Sequence, residues 1–175
     1  MPKIIPELRE KMLSCARAHL MEDDGHDFST RQLASECGIA AGTVYNYFST
    51  KEEILACIML EDWKVCLKKM QEEAEHTEDI RCGFAMIEQQ LRAFSAPFLV
   101  IWQRYDRRVP IPKYHALLIR QIEQPLKILL ERTHRTCGET ERAVLSEMLL
   151  SCSQREEGLI EKLIPVMEKL LDRQE

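Results

Sequence analysis

The chain lacks any apolar run near the roughly 18 residues of a membrane span, so no spanning helix is expected. Its first residues, Met-Pro-Lys-Ile-Ile-Pro-Glu, have no apolar stretch of the secretory kind, which points to the cytoplasm. Strand patterns are missing too. Apolar residues recur at spacings of three and four rather than two, and only Gly and Pro break the rhythm. There is no internal repeat and no low-complexity linker. No Gly-rich phosphate loop, Gly-x-Ser-x-Gly elbow or His-Glu-x-x-His pair occurs, so no enzymatic class is indicated and no catalytic residue is named. Basic charge is also scarce. The formal net charge is −5, and residues 1–51 hold six basic against seven acidic side chains. Composition alone does not suggest a nucleic-acid partner.

Cysteine is the exception to this sparseness. There are seven: Cys15, Cys37, Cys57, Cys66, Cys82, Cys137 and Cys152. None forms a Cys-x-x-Cys pair, and they lie far apart on helical patterns. In a reducing compartment they read as small buried hydrophobes rather than a disulfide framework. A thiol sensor is one alternative. A metal site drawing on His76, His115 or His134 is another, although no pair has the short ligand spacing of a zinc site. No metal and no cofactor is expected.

What is present is concentrated in residues 28–51. Ser29 is a good N-cap with Gln32 three residues on, and Phe28 and Leu33 occupy the two positions of a hydrophobic staple. Gly38 then suits the left-handed residue that closes a helix. A second short helix is expected over about Ala41 to Tyr47. Val44 and Phe48 share its inner face, leaving Thr43, Asn46 and Tyr47 on a face with no apolar reason to be buried. A short helix presenting hydrogen-bonding and aromatic groups outward is what major-groove reading requires. The acidic Glu22-Asp23-Asp24 cluster falls in the loop before this segment, while from Phe28 to Lys51 there are two basic residues and one acidic.

The run Gly38-Ile39-Ala40-Ala41-Gly42-Thr43-Val44-Tyr45-Asn46-Tyr47-Phe48-Ser49-Thr50-Lys51-Glu52-Glu53-Ile54-Leu55 resembles the helix-turn-helix signature of tetracycline-repressor (TetR) family regulators. The upstream Thr30-Arg31-Gln32-Leu33-Ala34 fits the same pattern, and the resemblance covers roughly residues 7–70. It implies that Thr30 and Arg31 contact the DNA backbone or a groove edge. It implies that Ala41 and Gly42 lie at the approach to the groove, with Gly42 allowing close contact. Thr43, Asn46 and Tyr47 would face the bases, and Tyr45 and Lys51 the backbone. Two positions depart from the family pattern. Ala40 stands where a capping Ser or Thr is frequent and cannot cap, and Ala41 stands where a longer polar residue is common.

Elsewhere the pattern is helical throughout. A first helix is expected from about Pro6 to Met21, with Leu8, Met12, Cys15, Ala16 and His19–Leu20 on its inner stripe. A fourth is expected from a Ser49–Glu52 capping box to about Glu73. It is long enough to leave a three-helix module and connect it to the remainder. A fifth helix from near Asp79 carries Phe94, Phe98, Trp102 and Tyr105 and is expected to be interrupted at Pro97, ahead of a loop at residues 106–112. A sixth spans about Lys113 to Thr136 with a kink at Pro125, a seventh about Thr140 to Ser153, and an eighth about Gln154 to Arg173. The expected architecture is therefore all-α. An N-terminal three-helix helix-turn-helix module, residues 1–50, is joined by a long helix to a helical effector-binding and dimerisation domain, residues 51–175.

The aromatic stripe on the fifth helix reads either as core or as the wall of an effector pocket. The resemblance favours the pocket, formed by Phe94, Phe98, Trp102, Tyr105, His115, Leu118 and Ile122, for a small apolar or aromatic effector. The wide apolar faces of the last two helices read either as packing within one chain or as a homodimer interface through Val144, Met148, Cys152, Leu159, Leu163, Met167 and Leu170. One short reading helix discriminates poorly, which argues for the dimer. The expected function is a DNA-binding transcriptional regulator, a repressor released by ligand, on a pseudo-palindromic double-stranded operator. The alternative is an all-helical adaptor for a protein partner, with residues 28–51 an ordinary three-helix surface. No membrane partner is expected.

Overall fold

The computed structural model describes the backbone of residues 6–21, 28–105 and 111–171, and the side chains of residues 7–21, 28–98 and 115–171. Among the described residues the chain forms eight helices. They are α1 (Pro6–Met21), α2 (Thr30–Cys37), α3 (Ala41–Val44), α4 (Lys51–His76), α5 (Ile80–Tyr105), α6 (Ile111–Arg132), α7 (Glu139–Ser153) and α8 (Leu159–Leu171). No described helix is long and apolar enough to cross a membrane. The acidic cluster Glu22-Asp23-Asp24 lies outside the described residues. The chain divides into two compact units. One comprises residues up to Trp63 with Pro97–Arg104, and the other Lys64–Ala96 with the residues from Tyr105 onward.

In the first unit, α2 begins as its sequence requires. The Ser29 hydroxyl accepts the Gln32 N–H at 3.1 Å, and Phe28 and Leu33 are 1% and 0% exposed. The helix closes with Gly38 at φ 71°, Gly38 N–H donating to Ser35 O at 3.1 Å and Ile39 N–H to Ala34 O at 2.9 Å. That is a Schellman turn, in which a left-handed residue satisfies the last carbonyls. Helix α3 is shorter than the Ala41–Tyr47 expected, stopping at Val44. Ala40 supplies no side-chain cap, and Asn46 and Tyr47 N–H groups reach back three residues, to Thr43 O and Val44 O, so the chain tightens out of α geometry. Val44 and Phe48 still anchor the segment in a core built from Met12, Leu13, Ala16, Leu20, Leu33, Ala34, Ile54, Leu55 and Ile58.

The cap of α4 also lies one residue later than expected. Thr50 Oγ1 accepts Glu53 N–H at 3.2 Å, and the Glu53 carboxylate returns to Ser49 N–H at 2.7 Å. The pairing is thus Thr50 with Glu53 instead of Ser49 with Glu52. On α1, Arg17 donates to Asp62 at 3.0 Å and to Glu61 at 2.9 Å. Burial works against the Arg17 charge, but these two carboxylates outweigh it and raise its pKa.

In the second unit, Asp79 caps α5, its carboxylate accepting Cys82 N–H at 2.8 Å. Helix α5 runs on through Pro97 to Tyr105, carrying the whole expected aromatic stripe. Helices α6 and α8 likewise continue through Pro125 and Pro165, because a missing N–H removes one bond of the ladder without ending it. A Cβ at Gly83 would sit 2.2 Å from Leu129 Cδ1, so any larger residue there would force the buried Leu129 side chain to move. Helix α6 starts at Ile111 and ends at Arg132, earlier than the expected Thr136. His134 takes φ 55°, and Arg135 N–H closes the turn on Leu130 O at 2.9 Å. Helix α8 starts at Leu159, not at Gln154, after a loop in which Gly158 has φ 81°.

That loop is held by a charged clamp. Glu88 is 5% exposed and pairs with Arg92 one turn along α5. The Arg92 guanidinium also donates to Cys152 O at 2.8 Å and Arg155 O at 2.6 Å, taking up carbonyls at the end of α7. Helix α8 carries two apolar stripes. Ile160, Ile164, Met167 and Leu171 are buried, whereas Leu159, Leu163 and Leu170 are half-buried and Val166 is 48% exposed.

Candidate nucleic-acid interface

The first unit carries an open cleft of about 620 Å³, lined by Ser29, Thr30, Tyr45, Ser49, Thr50 and Lys51 over the buried Phe28. Two helix N-termini meet there. Ser29 and Thr30 open α2, and Thr50 and Lys51 open α4. Each brings backbone N–H groups and the positive end of a helix dipole, which together favour an anion. Hydroxyls from five of the lining residues and the Lys51 ammonium add donors. The rim is braced. Thr30 Oγ1 and Tyr45 Oη lie 3.1 Å apart, tying the start of α2 to the turn after α3. Lys51 Nζ stands 4.8 Å from the centroid of the Phe28 ring, a cation–π contact that orients the ammonium.

Beside the cleft, α3 and its following turn face outward. Gly42, Tyr45 and Asn46 are exposed, and Ala41, Thr43 and Tyr47 half-exposed. A Cβ added at Gly42 would meet nothing within 4 Å, so the surface there is open to a close approach. Arg31 is exposed at the second position of α2. Two other basic residues of the module are engaged elsewhere, Arg17 with Glu61 and Asp62, and Arg9 over the Phe48 ring at 5.3 Å. The structure thus brings Thr30, Tyr45 and Lys51 together in the cleft. Ala41, Gly42, Thr43, Asn46 and Tyr47 lie along the neighbouring segment, and Arg31 stands apart from the cleft lining. The sequence reading did not place Phe28, Ser29, Ser49 and Thr50 in the site. The two capping motifs were the signal, since a capped N-terminus with an unobstructed first turn is itself an anion-facing surface.

The effector residues fall differently. Phe98 is 1% exposed in the first unit. In the second unit Ile122 is 0% exposed, Phe94 and Leu118 are half-buried, and His115 pairs with Glu147 at 3.2 Å. The side chains of Trp102 and Tyr105 lie outside those described. Among the residues expected at a dimer interface, Cys152 and Met167 are 1% and 0% exposed, so they belong to the core of the chain itself. Val144 is 44% exposed, and Met148, Leu159, Leu163 and Leu170 are half-exposed. Val166 joins this face and was missed, because one more apolar residue on an already wide stripe gives no distinct sequence signal.

A capped helix, a left-handed turn and a short outward-facing segment beside an anion-favouring cleft define the class: a helix-turn-helix protein of the DNA-binding type. Residues 13–58 match the family model described as bacterial regulatory proteins, tetR family. The HTH-type transcriptional regulator UidR of Escherichia coli (strain K12) is 31% identical over 67 residues, which is 38% of this chain and 34% of UidR. UidR of Shigella flexneri aligns to the same extent, 31% over 67 residues. The matched part therefore spans about a third of the length of these curated relatives (34%). The crystal structure of the TetR family transcriptional regulator PfmR from Thermus thermophilus superposes with a TM-score of 0.52, covering 99% of this chain and 98% of that one. At 16% identity that likeness shows a shared fold. Residues 13–58 thus match the DNA-binding region of the tetR family, and the chain shares the fold of a TetR family regulator.

Proposed function

We propose that the protein is a transcriptional repressor that binds a pseudo-palindromic operator as a homodimer and is released by a small apolar or aromatic effector. The observation that carries the reading is the convergence of the α2 and α4 N-termini, Lys51 and the Thr30–Tyr45 pair on one cleft beside the exposed Gly42–Tyr47 segment. In this reading a backbone phosphate occupies the cleft and fixes the register, while Thr43, Asn46 and Tyr47 meet base edges. Asn46 has the amide geometry for bidentate contact with adenine. The homodimer reading is supported by the partly exposed apolar stripe Leu159, Leu163, Val166 and Leu170 with Val144 and Met148. Charged residues flank this stripe without entering it. Residues 1–50 are the DNA-binding part, residues 51–175 the effector and dimerisation part, and the cytoplasm is where both would act.

Selection of duplexes from a random pool tests the reading. The expected product is an inverted repeat bound at one dimer per site, with release by the effector and loss of selection in Asn46→Ala. A protein that enriches no sequence at low salt is instead a helical adaptor.

A further inference from the structure

Cys15 and Cys37 are separated by 22 positions in sequence, on α1 and α2, yet their sulfurs lie 3.9 Å apart inside the first unit. That is van der Waals contact between two thiols. A disulfide needs sulfurs about 2 Å apart, so the two must close by about 2 Å. The two sulfurs are unequal. Cys15 is half-exposed, whereas Cys37 is 6% exposed at the last position of α2. We propose that Cys15 and Cys37 form a peroxide-reactive thiol pair whose oxidation to a disulfide displaces the α2–α3 turn and weakens DNA binding. The DNA part of this inference rests on the function proposed above.

The chemistry balances with hydrogen peroxide as the oxidant. The Cys15 sulfur attacks one peroxide oxygen and the O–O bond breaks. Cys15 becomes a sulfenic acid and one water leaves. The Cys37 sulfur then attacks the sulfenic sulfur, the S–O bond breaks, and the hydroxyl departs with the Cys37 proton as a second water. Two thiols thus surrender two electrons to one peroxide. Burial pushes the Cys37 thiol up to about 11, with the contact to Cys15 acting in the same direction. Cys37 therefore waits as the resolving thiol, and Cys15 is the sulfur a peroxide reaches first. Lys11 lies on the same face of α1, its ammonium 3.2 Å from Cys37 O, and favours negative charge on Cys37. Glu36, bound to His19 at 2.8 Å, opposes it.

The consequence for DNA follows from position. Cys37 immediately precedes Gly38, whose turn sets the direction of α3. Helix α3 has four residues and no side-chain cap, so little within it resists a pull at its root. Densely packed neighbours transmit the shift instead of absorbing it.

The experiment treats the reduced full chain with stoichiometric hydrogen peroxide, with catalase added to stop the reaction. Peptide mapping should show a Cys15–Cys37 disulfide. Amide exchange should rise across residues 38–48, and affinity for a selected duplex should fall about tenfold or more. Dithiothreitol should restore both. Cys15→Ser, a change on a half-exposed face, should keep the reduced exchange pattern and affinity after peroxide, and Cys37→Ala should do the same. Absence of the Cys15–Cys37 peptide overturns the inference. So does a disulfide that leaves exchange at 38–48 and affinity unchanged, or equal peroxide sensitivity in Cys15→Ser. If the reduced protein binds no duplex at all, the regulator reading falls, and the thiol pair is decided by mapping and exchange alone.

Discussion

Single positions on the outward segment separate folding from binding. At Gly42 an added methyl meets nothing in the protein, and alanine is better than glycine in a helix by up to about 1 kcal/mol. Gly42→Ala should therefore melt no lower than wild type. In the proposed complex the same methyl would stand between α3 and the groove, so affinity for the selected duplex should drop. Unchanged affinity would show that DNA does not come close at Gly42. Lys51 acts by another route. Held over Phe28 beside the cleft, it is placed for a phosphate and not for a base. Lys51→Ala should weaken binding to all sequences alike and reduce the salt slope by about 1 for each protomer's lost contact. Loss confined to the selected sequence would place Lys51 on a base edge instead. Asn46→Ala should do the reverse, costing about 1–3 kcal/mol on the selected site with an unaltered salt slope.

At the scale of elements, the ends of helices carry the testable electrostatics. The Asp79 carboxylate is held below its ordinary pKa by hydrogen bonds from Cys82 and Arg81. A folded-state pKa lowered in this way contributes stability above the unfolded value of 3.8, and that contribution is lost as pH falls through the folded value. Asn caps as well as Asp but does not titrate there. The melting difference between wild type and Asp79→Asn should therefore favour wild type near neutrality and shrink on acidification. A difference that is flat with pH would remove Asp79 from the account. The Glu88–Arg92 clamp is the stronger test. Removing Arg92 strands a carboxylate that is 7% exposed and frees carbonyls at the end of α7. Arg92→Ala should cost about 2–4 kcal/mol, below the figure for full burial because the Arg92 side chain is 24% exposed. Chemical denaturation reads this directly, and wild-type stability in Arg92→Ala would show the clamp to be dispensable. These cases also show what a sequence discloses. Ser29, Gly38 and Asp79 act within three or four residues of themselves, so their helix ends were legible. The one-residue slip at Thr50 and the early end of α3 depend on which of several adjacent candidates wins in three dimensions. The Arg92 clamp and the Cys15–Cys37 contact join residues on different helices, and nothing local marks them.

For the molecule as a whole, the open question is how a module with so few basic residues gains specificity. One short segment reads a few base pairs, and each mismatch costs only about 1–3 kcal/mol. Two copies joined rigidly add their discrimination, provided that their reading segments meet half-sites about 34–36 Å apart. The surface proposed for that joining lies on α7 and α8, where Val166 is 48% and Val144 44% exposed in the single chain. Because Val166 points away from its own core, Val166→Glu should leave the fold intact, with an unchanged helical signal and melting close to wild type. Within a dimer the same carboxylate would enter an apolar contact twice, once from each protomer, with no partner for either charge. Sedimentation at micromolar concentration should then show wild type as a dimer and Val166→Glu as a monomer. The monomer should retain weak, salt-sensitive binding to any duplex, because its cleft is untouched, and should lose preference for the inverted repeat. Cys152→Ala serves as the contrast. It lies in the protomer core at 1% exposure and should lower stability without changing the oligomeric state. A Val166→Glu protein that stays dimeric, or a wild-type monomer that still selects an inverted repeat, would move the source of specificity away from α8.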